Sequence, residues 1–234
     1  MTLLRRWLGQ APVLTPHQRQ RLDLWRALNS CPSKTLLLES RCVVVDVETT
    51  GLSLAHDRLI SIGAVAVVKG KIALGDSFYT VLQQQTVSEK DNILLHGIGA
   101  GAQREGEVPA EALLDFLDYL GKSPLIAFHV TFDQSMIRRA LGEYLGFNLK
   151  HTWIDLAYVM PALNPPLAKR LHALDDWINH FNIRIDVRHN ALADALATAQ
   201  LLQVANAQAT TRNINDYAGL MDLEQAQRWV SGVS

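Results

Sequence analysis

Two long apolar runs constrain this chain more than any other feature: Leu59–Val68, and residues 72–82, separated by Lys69-Gly70-Lys71. The first holds ten residues without a charge, rich in β-branched side chains. It reads as a buried strand, and Lys-Gly-Lys reads as a turn into a second strand. A third run over 36–47 carries Val43-Val44-Val45 and reads as another buried strand. The three form an antiparallel meander. Such a sheet needs helices to cover it, and the rest of the chain supplies them.

Thr15-Pro16-His17-Gln18 is a helix start: threonine caps, proline suits the first helical position, and Gln18 completes a capping box. Leu22, Trp25 and Leu28 follow at helical spacing. Residues 88–108 carry four glycines and no periodicity, and are expected to form a loop. Pro109–Leu120 reads as an amphipathic helix with Leu113, Leu114, Leu117 and Leu120 on its apolar face. A short strand over 125–128, a helix over 132–144, and a strand over 152–155 with a helix after it come next. Asn164-Pro165-Pro166 interrupts the chain. A helix over 171–181 and an alanine-rich helix over 191–207, capped by Asn190, complete the pattern. Three sequential strands followed by alternating helices and strands imply an α/β fold with a mixed sheet. The organisation expected is a helical basic appendage over 1–40, a main domain over 41–205 and an extension over 206–234.

Composition narrows the function classes. At 48% hydrophobic and 19% charged residues the chain is able to bury a core. It has no apolar stretch of membrane-spanning length, and no secretion signal is evident, so a cytoplasmic location is the expectation. Two cysteines, Cys31 and Cys42, cannot build a disulfide framework or a four-cysteine zinc site. No His-Glu-x-x-His pair, Walker loop, Rossmann fingerprint or Gly-x-Ser-x-Gly elbow occurs. Residues 1–41 carry seven basic and two acidic groups, while the whole chain has a net charge of −1, so the body is acidic. A basic arm on an acidic body fits a phosphate-attracting surface beside a metal site, and equally a solvated helix face, which charge alone favours.

The strand containing Val43-Val44-Val45 runs into Asp46-Val47-Glu48. Side chains two apart on a strand share a face, so Asp46 and Glu48 project together. Two carboxylates at the end of an apolar strand repel unless something neutralises them: a solvated strand end is one reading, and a hard divalent cation, which takes oxygen ligands, is the sharper one. The turn Thr49-Thr50-Gly51-Leu52 offers backbone N–H groups and hydroxyls for a phosphate or a terminal sugar. Asp133 stands near a helix start, and Asp194 lies among alanines and leucines inside the last long helix. His189, five residues before Asp194, would sit on the loop leading into that helix.

In this order, Asp-x-Glu-Thr-Thr-Gly-Leu, then Phe-Asp opening a helix, then His-x-x-x-x-Asp at a final helix, the chain resembles the DEDD exonuclease superfamily. The histidine spacing resembles its DEDDh branch, which includes the proofreading epsilon subunit of bacterial DNA polymerase III and ribonuclease T. The resemblance spans roughly residues 40–205. It implies a ribonuclease H-like mixed sheet with helices on both faces. It implies that Asp46, Glu48, Asp133 and Asp194 hold two divalent ions, Mg2+ or Mn2+, and that His189 is the general base for hydrolysis at a 3′ end. Thr49, Thr50, Gly51 and Leu52 would line the pocket for the terminal nucleotide. His96 and Ile98, in Leu95-His96-Gly97-Ile98, would pack on its sugar or base. Phe132 and Phe128 could stack on bases. The chain departs from relatives of epsilon at His129, where asparagine is frequent. The implied partner is a single-stranded nucleic acid 3′ end, with a polymerase or other protein as a possible second partner and no membrane. An exoribonuclease of the ribonuclease T kind and a non-catalytic nucleic-acid-binding or scaffold domain are the rival readings.

Overall fold

A computed structural model describes residues 12–185 and 188–232. The expected meander is present: β1 (Arg41–Thr49), β2 (Leu59–Val68) and β3 (Lys71–Val81) pair antiparallel in sequence. β4 (Leu125–Ala127) then lies parallel to β1 on its other side, and β5 (Trp153–Asp155) lies parallel to β4. The sheet order is therefore β3-β2-β1-β4-β5, with β1 in the middle. β1 starts later than the apolar run suggests, because Leu36 makes an isolated bridge with Asp216 instead.

β1 is buried on both faces, and alternation sorts its side chains. Val43, Val45 and Val47 join Ile62 and Ala64 in one core with two helices, α4 (Pro109–Leu120) and α5 (Val130–Leu145). Val44 joins Val65, Val67, Ile126 and Ile154 in the second core. That second core is closed by α6 (Leu156–Leu163), α8 (Ala191–Thr211) and α9 (Tyr217–Val230). A short helix α7 (Leu174–His180) packs beside α8 through Trp177. Asp46 and Glu48 are in phase with Val44, so they project on the face that α8 covers.

The appendage docks. α1 (Pro16–Ala27) starts with the expected box: the Thr15 hydroxyl accepts from the Gln18 N–H at 3.2 Å and the Gln18 amide oxygen accepts from the Thr15 N–H at 2.9 Å. Leu22 and Trp25 are buried in the first core. Arg21 reaches Glu111, Asp115 and Asp118 on α4. Trp7, also in the basic arm, lies outside the described residues.

Two features depart from the sequence pattern. The expected loop over 88–108 contains α2 (Lys90–His96) and α3 (Ala100–Glu105). Each is under two turns, too short to show a periodicity, and Gly97, left-handed at φ 72°, ends the first. Buried Gln103 fixes the segment, its amide nitrogen donating to the Ser88 hydroxyl and the Ile98 carbonyl. At the other end, position 205 falls inside α8, which continues to Thr211. Among the described residues no helix is long and apolar enough to cross a membrane.

Candidate active site

Three carboxylates from two elements converge. Asp46 and Glu48 at the end of β1 and Asp194 in the first turn of α8 each place an oxygen within 4.8 Å of the others. Gly63 makes this approach possible. It pairs with Asp46 in register, and a Cβ there would stand 2.2 Å from the backbone of Ala191 and Leu192. The bare strand lets the start of α8 rest directly on β2, beside β1. The Asn190 side chain caps α8, accepting from the Ala193 N–H at 3.2 Å. Asp133 is buried in the first turn of α5, and its charge acts on Asp46. It lies outside the set of three mutually close carboxylates.

Their electrostatics follow from that placement. Burial pushes Asp46 well above the carboxylate range, and the charges of Asp133, Asp194 and Glu48 add to it. Burial, then Asp194, pushes Glu48 up to about 7, against a smaller opposing pull from Arg188. Burial also raises Asp133, opposed by backbone N–H groups. Asp194 is raised by burial and held down chiefly by Arg188, whose guanidinium pairs with its carboxylate. Arg188 also pairs with Asp175 on α7 at 2.7 Å. Among the described residues, neither the Asp46 nor the Glu48 carboxylate accepts a hydrogen bond. Converging hard oxygens that the chain itself leaves unsatisfied are a donor set suited to a divalent cation.

His189 sits on the loop before α8 with an exposed side chain and a left-handed backbone, φ 58°. Its N–H donates to the Asp194 Oδ2 at 3.1 Å, which ties the imidazole's backbone to the acidic cluster.

The turn after β1 is built around Asp57, a residue that the motif pattern does not single out. Asp57 accepts from the Thr50 hydroxyl at 2.8 Å and from the Ser53 N–H at 2.7 Å. A Cβ on Gly51 would meet its carboxylate at 2.6 Å, so the glycine admits the clamp. The Thr49 hydroxyl donates to the Gly51 carbonyl at 2.6 Å. Both threonine hydroxyls thus brace the turn, leaving Leu52 projecting at 86% exposure. His96 is buried, its Nδ1 accepting from the Ile98 N–H at 2.9 Å. Nε2 therefore carries the proton and donates to Asn92 Oδ1 at 2.7 Å, and the Asn92 amide donates to the Thr49 carbonyl at 3.0 Å. This chain of bonds fastens α2 to the end of β1. Ile98 is buried beside it. Phe132 and Phe128 are half-buried, each packed on a different core.

The comparisons agree with this geometry. The exonuclease family of the RNase T type matches residues 43–202. A PolC-type DNA polymerase III from Caldanaerobacter subterraneus is 32% identical over 164 residues, which is 70% of this chain and 11% of that protein. The Bacillus subtilis PolC-type enzyme is 31% identical over 168 residues, 71% of this chain and 11% of its own length. The chain thus spans about a tenth of these relatives. Among solved structures, E. coli exonuclease I in complex with a dT13 oligonucleotide superposes with a TM-score of 0.62 at 19% identity, over 74% of this chain and 42% of that one. Cell-death related nuclease 4 superposes at 0.60 with 16% identity, over 71% and 64%. At such identities these two likenesses speak for the fold. With a DEDD-type exonuclease site on a mixed sheet and a family match over residues 43–202, the chain belongs to the RNase T exonuclease family, within the DEDD superfamily of 3′–5′ exonucleases.

Proposed function

We propose that this chain hydrolyses the terminal phosphodiester at the 3′ end of single-stranded nucleic acid, with DNA as the preferred strand. The observation that carries the reading is the convergence of Asp46, Glu48 and Asp194 within 4.8 Å, beside His189. Asp46, Glu48, Asp133 and Asp194 would hold two Mg2+ or Mn2+ ions. Such ions, when bound, offset the charge of the phosphodiester and of the leaving oxygen. His189, exposed on a short loop tied to Asp194, can swing its imidazole to take the proton from the attacking water, and must be neutral to do so. Leu52 stands free to wedge against the terminal base, on a turn held by Asp57 beneath Thr49, Thr50 and Gly51. His96 acts on this pocket from behind, through Asn92, and Ile98 and Phe132 complete its wall.

The preference for DNA is supported by relatives named as DNA polymerase III and by the oligonucleotide complex of E. coli exonuclease I. A proofreading setting would need a polymerase supplied by another chain or segment. The test uses 3′- and 5′-labelled single-stranded DNA and RNA oligonucleotides with Mg2+, Mn2+ or a chelator. Metal-dependent release of mononucleotides from the 3′ end, absent in Asp46→Ala, is expected. Faster turnover of RNA would replace the DNA preference with the exoribonuclease reading, and an active Asp46→Ala would remove the site assignment. In His189→Ala, turnover should fall far more than metal affinity.

A further inference from the structure

The last described helix carries a residue that reaches the catalytic side of the sheet. Asp155 ends β5, is 1% exposed, and caps α6. Its Oδ1 accepts from the N–H groups of His129 at 2.9 Å and Ala157 at 3.0 Å. Its Oδ2 accepts from the Val130 N–H at 3.1 Å and from the Arg228 Nη2 at 2.9 Å. Arg228 and Glu224 stand one turn apart on α9 and bond to each other at 2.9 Å. Glu224 in turn accepts the Asp155 N–H at 2.9 Å. The Arg228 guanidinium lies over the Tyr158 ring, 3.9 Å from its centroid. A carboxylate and a guanidinium on α9 therefore grip both the backbone and the side chain of Asp155.

The grip matters because of what Asp155 holds. His129 is left-handed at φ 65° and gives α5 no side-chain cap. The first N–H groups of a helix need outside acceptors. Asp155 supplies them at His129 and Val130, and Asp133 follows one turn later. Three backbone N–H groups and the Arg228 guanidinium together hold this buried carboxylate as an anion. Without Arg228 its Oδ2 loses one of two donors, and the carboxylate is free to turn away from the Val130 N–H at the first turn of α5.

We propose that Arg228 is a positioning residue: acting through Asp155, it fixes the first turn of α5 and with it the place of Asp133 in the metal site. The family match ends at residue 202, so Arg228 and Glu224 lie beyond it. Residues 206–230 then belong to the catalytic unit instead of trailing it. This inference rests on the proposed role of Asp133 as a metal ligand.

The test compares Arg228→Ala, Arg228→Lys and Arg228→Gln with a control in the full chain. Leu220→Ala is the control, since Leu220 anchors α9 in the second core about two turns before Arg228. Mn2+ affinity is measured by calorimetry without nucleic acid, and kcat and KM on an oligonucleotide below each unfolding transition. Outer-shell residues of metal sites alter affinity by about 10–100-fold. Arg228→Ala should weaken Mn2+ binding and lower kcat by about 10-fold each, at unchanged KM, and lysine should restore most of both. Leu220→Ala should lower Tm and leave affinity and kcat in place. If Arg228→Ala lowers Tm alone, the proposal is overturned. If Arg228→Ala does not fold, the other two decide: lysine active with glutamine impaired supports the role, and equal behaviour overturns it. A wild type that binds Mn2+ but hydrolyses nothing, with binding weakened in Arg228→Ala, removes the exonuclease reading and keeps this one.

Discussion

Replacing Glu48 by Gln should stabilise the metal-free protein while abolishing its response to metal. Glu48 is shifted from an ordinary 4.5 to about 7 by burial first and Asp194 second. The folded state thus keeps a proton that the unfolded chain has already released, and stability falls as pH rises from 4.5 to 7. At about 1.4 kcal/mol per pH unit, the loss is about 3 kcal/mol. Coulomb repulsion from Asp194, whose oxygen lies within 4.8 Å, adds to burial in the same direction. Glutamine has the same shape and no charge. The variant should match wild type near pH 4.5 and exceed it by about 3 kcal/mol at pH 8 in chelator, a rise in Tm of roughly 6–12 °C for a chain of this length. Mn2+ at about a thousandfold excess over Kd should invert the order, because wild type then gains about 4.1 kcal/mol and the variant gains little. The assay is thermal and urea unfolding at pH 4.5, 6 and 8, with chelator or Mn2+. A variant no more stable than wild type at pH 8 in chelator would refute the claim that these carboxylates are held together against their own repulsion.

Three further changes test other parts of the site. Gly63→Ala forces a methyl group into the backbone of Ala191 and Leu192, so α8 must retreat; Mn2+ affinity by calorimetry should drop by at least tenfold, in the range seen when support of a metal site is lost. Arg188→Ala removes a cation that occupies Asp194; Mn2+ should bind more tightly while the metal-free protein loses Tm at pH 8. Asp57→Ala removes two acceptors from the turn after β1; about 1–3 kcal/mol of stability should go with them, and KM for an oligonucleotide should rise more than kcat falls.

Where the chain follows a regular period, its elements could be read directly: β2 and α4 have the bounds that their apolar patterns suggest. α2 and α3 could not, since six or seven residues complete too little of a period and their stability comes from buried contacts such as Gln103. Within the site, Asp46 and Glu48 are legible because strand alternation is a local rule. His189 and Asp194 could be singled out only through the resemblance to the DEDDh branch, since a lone histidine on a loop and an aspartate in a helix carry no local signal of their own. Asp57, Asp155, Arg188 and Arg228 act through partners in other elements or at irregular spacing, and no local pattern announces such pairs. Gly63 did leave a trace: an isolated glycine within a buried strand signals another backbone nearby, though not which one.

The position of β1 also bears on how the protein is made. Asp46 and Glu48 belong to a meander of neighbouring segments, which can form early in synthesis. Their strand gains its other neighbour only when β4 appears some eighty residues later, and Asp194 arrives later still. A growing chain therefore leaves the ribosome without a complete centre. The order of the segments delays assembly of the three carboxylates until the residues of α8 have emerged.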